Sequence, residues 1–148
     1  MITVESSAGI SRSVEDVWAF VSDPTNESKW HTDILEVRSE ADSSTGPGNS
    51  WVLGSKWLVT VQFMGRRDYL VQITGLEPKR RLEITTRTGP MRPIATYLLE
   101  PANGGTRFTR HLDLPLQGPF RIMTALIRRN AQKRNAEFVQ NLKRLLEQ

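Results

Sequence analysis

Cysteine is absent from the 148-residue chain. That excludes disulfides, thiolate nucleophiles and zinc–thiolate centres. Histidine occurs only twice, as His31 and His111. His31 has Asp33 two residues on, but nothing resembles the helical ligand pair of an H-E-x-x-H motif, so neither a metal nor a cofactor is expected. No apolar run approaches the roughly 20 residues that span a bilayer. The opening MITVESSAGI lacks the basic n-region and apolar core of a leader. The reading is of a soluble, cytoplasmic protein without a transmembrane segment. Nucleophile elbows of the G-x-S-x-G type are missing, and GNSWVLG has the wrong spacing. Gly104-Gly105 reads as a hairpin turn rather than a phosphate-binding loop.

Acidic residues are scarce after the first third. Residues 1–50 hold 3 Lys/Arg against 9 Asp/Glu, whereas residues 51–148 hold 17 against 7. Such polarity can mark a nucleic-acid or membrane partner. The basic residues are spread over Arg66-Arg67, Lys79-Arg80-Arg81 and Arg128-Arg129, without the interleaved aromatics that single-strand binders use. Nucleic acid is therefore not the expected partner.

What is present is periodicity. Ile2 and Val4 begin a strand. Val14, Val17, Trp18 and Val21 sit at i, i+3, i+4 and i+7, one apolar helix face, with Ser13 as cap and Asp16 at the capping-box position. Asp23-Pro24 starts a second short helix, with Asp as N-cap and Pro in the first turn. Ile34, Leu35 and Val37 open a strand through about Glu40, followed by the polar loop ADSSTGPGNS. Between Lys56 and Leu114, four alternating runs follow one another. They are Trp57/Val59/Val61/Phe63, Tyr69/Val71/Ile73, Leu82/Ile84/Thr86 and Ala95/Tyr97/Leu99, and a last run holds Phe108, Arg110, Leu112 and Leu114. The short turns between them, Met64-Gly65 among them, predict an antiparallel meander. A helix is expected from about Gly118 to Glu147, roughly 45 Å long. It should present Phe120, Met123, Ile127, Ala131, Phe138, Leu142 and Leu145 on one face, with Arg134 in its middle and Asn130 at its edge.

The order of these elements predicts an α+β helix-grip fold over residues 1–148 as a single domain. A seven-stranded antiparallel sheet wraps a long C-terminal helix, and two short helices follow the first strand. The stretches SVEDVWAFVSDPTNESKWH, GLEPKRRLEI, GPMRPIATYLLEP and GGTRFTRHLDLP resemble the polyketide cyclase/dehydratase-like branch of the START-like (Bet v 1-like) superfamily. That resemblance covers nearly the whole chain and implies a cavity between sheet and helix, of a few hundred Å³. It implies a small, largely apolar ligand, such as a lipid, a polyketide or an aromatic. The alternatives are an aromatase/cyclase or dehydratase-type enzyme using the same cavity, and an interaction protein with a filled core.

Eight residues are candidates for contact with a ligand. Trp30 and His31 either border the cavity mouth or form scaffold, with Trp30 packed on the sheet and His31 solvated. Arg134 on an apolar face either anchors a ligand's polar end, snorkels to water, or pairs with a carboxylate on the sheet. Tyr97 either offers its phenol to the ligand or is a half-buried strand residue. Trp57, Ile127, Asn130 and Phe138 would complete the lining.

Overall fold

In a computed structural model of the chain, residues 1–40, 50–63, 65–115 and 122–148 are described. The loop expected after Glu40, the turn residue Met64, and residues 116–121 with Phe120 lie outside them. The strands are β1 (Ile2–Ile10), β2 (Ile34–Ser39), β3 (Lys56–Gln62), β4 (Arg66–Glu77), β5 (Arg81–Thr86), β6 (Ile94–Ala102) and β7 (Gly105–Leu114). They form one antiparallel sheet in the order β1-β7-β6-β5-β4-β3-β2. The meander β2 to β7 is thus closed on one side by β1, which returns to pair with β7.

Helices α1 (Val14–Val21) and α2 (Glu27–Trp30) follow β1, with a 3-10 turn at Pro24–Asn26 between them. The Ser13 hydroxyl accepts from the Asp16 amide, and the Asp23 carboxylate accepts from the Thr25 amide, so both predicted caps form. The Asp16 side chain does not close a box; it pairs with Arg12. Trp51, which the sequence pattern did not single out, ties the chain before β3 to the end of α1. Its ring nitrogen donates to the Val21 carbonyl at 3.1 Å, and its ring meets Trp57 edge-on at 5.1 Å.

The sheet is two-faced, as an antiparallel sheet with one covered side should be. Its convex face carries polar ladders such as Thr60–Asp68–Arg38 and Glu83–Thr74–Thr85. The concave face carries Trp57, Val71, Ile73, Leu82, Tyr97, Leu99 and Phe108, all buried. Gly105 permits the tight β1–β7 edge, because a Cβ there would lie 2.3 Å from the Ile10 carbonyl oxygen.

Helix α3 runs from Thr124 to Leu146, about 35 Å, and lies along the β1 side of the concave face. It starts later than expected. Ile122 and Met123 form only a 3-10 turn, and no side chain caps the helix at Met123. Met123 is consequently half-exposed instead of buried. The buried stripe is also rotated from its predicted centre. It follows Ala131, Asn135, Phe138, Val139, Leu142 and Leu146, which moves Arg134 from the middle of the face to its flank. That flank faces α2 and β2: Arg134 pairs with Asp33, and the Asn141 amide donates to the Trp30 carbonyl at 3.2 Å. The opposite flank is tied to β1 by Gln132 and Lys143, which donate to the Glu5 and Gly9 carbonyls. Among the described residues no helix is long and apolar enough to cross a membrane.

Candidate functional site

Packing between sheet and α3 is unequal along its length, tight at one end, the deep end, and looser at the other, the mouth. Three elements meet at the deep end. Helix α2 delivers Glu27, Trp30 and His31 as one turn, with Trp30 and His31 tilted together at a ring distance of 3.8 Å. Inward positions of β6 and β7 deliver Tyr97, Phe108 and Arg110, and α3 delivers Asn135 and Phe138. Trp30 and Phe108 are fully buried, and their rings stand edge-on at 5.7 Å. Ring packing is dense here: Trp30, Tyr97, Phe108 and Phe138 are all buried.

A polar network runs through this aromatic packing. The Tyr97 hydroxyl lies 2.8 Å from Glu27 Oε2 and 3.3 Å from His31 Nε2. His31 Nδ1 lies 3.0 Å from the Glu27 carbonyl, which fixes that nitrogen as the ring's N–H donor. Nε2 is then the acceptor, and Arg110 Nε–H reaches it at 3.3 Å. Arg110 Nη1 donates to Asn135 Oδ1 at 2.5 Å, and Asn135 Nδ2 donates back to the Arg110 carbonyl at 2.9 Å. Phe138 lies beneath the guanidinium at 5.4 Å.

Burial sets the charges here. It pushes the Glu27 carboxyl from its ordinary 4.5 up to about 8, against the opposing pull of the Tyr97 bond and of Arg110. Glu27 is therefore chiefly a neutral acid at pH 7, as a desolvated carboxyl should be. Burial, with help from the Arg110 and Arg134 charges, holds His31 well below its usual range. The Tyr97 phenol is held well above its own, first by burial and then by Glu27. Arg110 remains the charged member. Glu27 Oε1 and Trp30 Nε1 are buried without a hydrogen-bond partner.

The mouth is built differently. Ile34, Val61, Ala95, Leu112 and Ile127 are only half-buried. Cross-strand neighbours Ala95 and Leu112 pack on different apolar clusters, the main core and a small one of Ile2, Val4 and Leu114. At the edge Arg134 pairs with Asp33, and its guanidinium stacks over Phe63 at 4.5 Å and Phe138 at 5.7 Å. Asp33 Oδ1 is a further buried atom without a partner.

Five of the eight candidates meet around the groove: Trp30, His31, Tyr97, Arg134 and Phe138. His31 is buried, not solvated, and Tyr97 is buried, not half-buried. Ile127 lies at the mouth. Trp57 is a core residue on β3, its ring nitrogen donating to Ser55 Oγ at 2.9 Å. Asn130 is exposed, because the rotation of the buried stripe turns it outward. Glu27, Arg110 and Asn135 were not singled out from the sequence. Their signal was a polar residue at an inward position: Arg110 between Phe108 and Leu112 at period two, and Asn135 between Ala131 and Phe138.

Comparison with known proteins places this architecture. The family described as polyketide cyclase / dehydrase and lipid transport matches residues 1–147. A START superfamily protein from Mycobacterium smegmatis superposes with a TM-score of 0.80 at 14% identity, covering 99% of this chain and 98% of its own. TTHA0849 from Thermus thermophilus gives 0.77 at 15% identity, over 97% and 96% of the two chains. BH1534 of Bacillus halodurans gives 0.76 at 18% identity, over 99% and 98%. No curated protein matches the chain. With the helix-grip sheet, the wrapped C-terminal helix and the match over residues 1–147 together, the chain belongs to the polyketide cyclase / dehydrase and lipid transport family.

Proposed function

We propose that the chain holds a small, largely apolar molecule, such as a lipid, a polyketide or an aromatic, in the open half of the groove between the sheet and α3. The observation that carries this reading is the unequal packing of the groove. The deep end is packed with buried rings, whereas Val61, Ala95, Leu112 and Ile127 at the mouth are only half-buried. Exposed concave apolar surface beside a few polar groups is the usual form of a small-molecule site. The family's description, cyclisation, dehydration and lipid transport, also brings an apolar small molecule against the protein.

Native mass spectrometry of freshly purified protein and thermal shift against long-chain lipids and aromatic polycycles test the reading. A ligand that binds only the folded chain raises its melting temperature by mass action. Ala95→Trp plugs the mouth and should abolish that shift while leaving the fold intact. Absence of any shift across such a panel, with nothing co-purifying, removes the binding reading.

A second reading has its own observation. A buried acid with its pKa near 8, bonded to a phenol and beside a neutral imidazole, is poised for proton transfer near neutral pH. Cyclase- or dehydratase-type chemistry would use Glu27 as the acid and Tyr97 as its relay. Turnover of a polyketide-like substrate that Glu27→Gln abolishes without lowering affinity would favour this second reading; a ligand held unchanged favours the first.

A further inference from the structure

The strand ends gather an unusual surface around the mouth. The starts of β1, β2 and α3, the β3–β4 hairpin and the end of β7 all lie there, as the register shows by pairing Ile2 with Leu114 and Ile34 with Val61. In the 3-10 turn before α3 and in its first turn, large apolar side chains are exposed to solvent. Ile122 is 90% exposed, Leu126 61% and Met123 48%. On the hairpin, Phe63 is 40% exposed. Leu126 lies on the side of α3 opposite the buried stripe, Arg129 and Lys133 continue its line at i+3 and i+7, and Ile122 precedes it in the 3-10 turn.

The charge around these apolar groups is predominantly positive. From Ile122 to Ala136 the chain carries Arg128, Arg129, Lys133 and Arg134 and no carboxylate. The hairpin adds Arg66 and Arg67, both exposed. The carboxylates nearest this end have partners of their own: Asp33 has Arg134, Asp113 has Thr3 and His111, Asp68 has Thr60 and Arg38, and Glu36 has Arg38. An exposed apolar tip inside a cationic collar matches one kind of partner, a surface with anionic groups outside and hydrocarbon beneath. Nucleic acid would use the arginines and leave Ile122 and Leu126 in water. A second copy would bring the same positive collar against this one.

We propose that the mouth end docks on an anionic lipid surface, with Ile122, Met123 and Leu126 entering the headgroup layer and Arg128, Arg129, Arg66 and Arg67 meeting the lipid charges. This goes beyond binding in the groove and does not depend on what the groove holds. It also gives the asymmetry of the fold a direction, because the open half of the groove would face the bilayer.

The test is flotation of the full chain with vesicles of phosphatidylcholine, with and without about one third phosphatidylglycerol, at low and high salt. The chain should float with the anionic vesicles and be released by salt. Ile122→Asp with Leu126→Asp, and separately Arg128→Gln with Arg129→Gln, should each weaken partitioning roughly tenfold or more. All four positions are solvent-facing, so circular dichroism and melting should stay at wild-type values. A chain that stays in solution with anionic vesicles overturns the proposal, as does flotation that neither pair of substitutions reduces. Light scattering that shows a dimer lost with the Ile122/Leu126 pair also overturns it, by assigning the patch to a second copy.

Discussion

The two ends of the groove each set an arginine against a carboxylate supplied by α2 or its exit, and they use the pair oppositely. At the deep end Arg110 and Glu27 are both buried, and no direct bond joins them. Glu27 is bonded to Tyr97 and prefers to stay neutral. At the mouth Arg134 and Asp33 form a direct ion pair that still reaches water, with side-chain exposures of 29% and 21%. Solvent access is the variable that differs. Without water, desolvation outweighs the attraction of a nearby guanidinium and the acid takes up its proton. With water at its rim, the pair stays ionic and acts as a clasp between α3 and the α2–β2 connection. The deep end excludes water from its charged groups, and the mouth does not.

The largest expected effect tests the packing of the deep end. Trp30→Ala removes a fully buried ring packed on His31, Tyr97 and Phe108. It should cost about 4 kcal/mol of unfolding free energy, as large-to-small aromatic truncations do. Val61→Ala, a half-buried mouth position, should cost on the order of 1 kcal/mol. Chemical denaturation of both variants measures the ratio. Equal losses would mean that the two ends are packed alike.

The next effect is a pH dependence. Glu27 ionises near its ordinary 4.5 when unfolded and at about 8 when folded. Between those values the folded state holds the extra proton, so stability falls as pH rises. His31 works the other way: held below its ordinary 6.5 in the fold, it makes stability fall as pH drops beneath that value. The two slopes oppose each other around and below pH 6.5; above it Glu27 is joined by the more exposed His111, whose bond to Glu5 raises its pKa and gives a weaker slope of the same sign. From pH 6.5 to about 8 the wild type should lose about 2 kcal/mol. Glu27→Gln should flatten the slope. A wild-type stability that is level from pH 6.5 to 8 would show that Glu27 is already ionised in the fold.

Tyr97→Phe probes the same network with a smaller change. It deletes the hydroxyl that bonds Glu27 Oε2 and should cost about 1–2 kcal/mol, the worth of a buried hydrogen bond whose partner is left behind. That bond lowers the Glu27 pKa. Its loss should therefore carry the falling limb of the pH profile beyond the wild-type limit. Denaturation midpoints across a pH series report both effects. An unchanged profile would detach Tyr97 from the acid.

The fold was legible because it rests on repeating patterns. Period-two runs marked β3 to β7, and Ser13 and Asp23 marked the entrances to the helical turns. The site was less legible, for two physical reasons. The first is phase. Wheel geometry placed Arg134 at the centre of the α3 face, but contacts on both flanks rotate the stripe to Asn135 and turn Asn130 out to solvent. The second is long-range assembly. Glu27 and Tyr97 are 70 residues apart, and only closure of the grip brings them together. His31 carried a weak hint, since Glu27 precedes it by one helical turn. An inward arginine on β7 was the stronger clue. A cation at a core-facing strand position needs a partner, and that partner was not identifiable until α3 was seen to supply Asn135.

The smallest effect concerns the clasp, and it separates the roles left open for Arg134. Arg134→Met keeps the stem and its packing on Phe63 and Phe138 but removes the charge. Asp33 then loses its cation, while its Oδ1 atom is already buried without a partner. The pair is partly solvated, so the loss should be about 1 kcal/mol and not the larger cost of a fully buried pair. Asp33→Asn should lose a similar amount, and the double variant should cost less than the sum, because each exchange breaks the same contact. A ligand anchor predicts something else: acidic and neutral ligands of one chain length should respond differently to Arg134→Met. A clasp predicts that both are affected alike, through a mouth that opens more readily. Thermal shifts with a fatty acid and the matching alcohol make the measurement. Equal changes for the two, with a coupling near ~1 kcal/mol between Arg134 and Asp33, assign Arg134 to the clasp; a loss confined to the acid assigns it to the ligand.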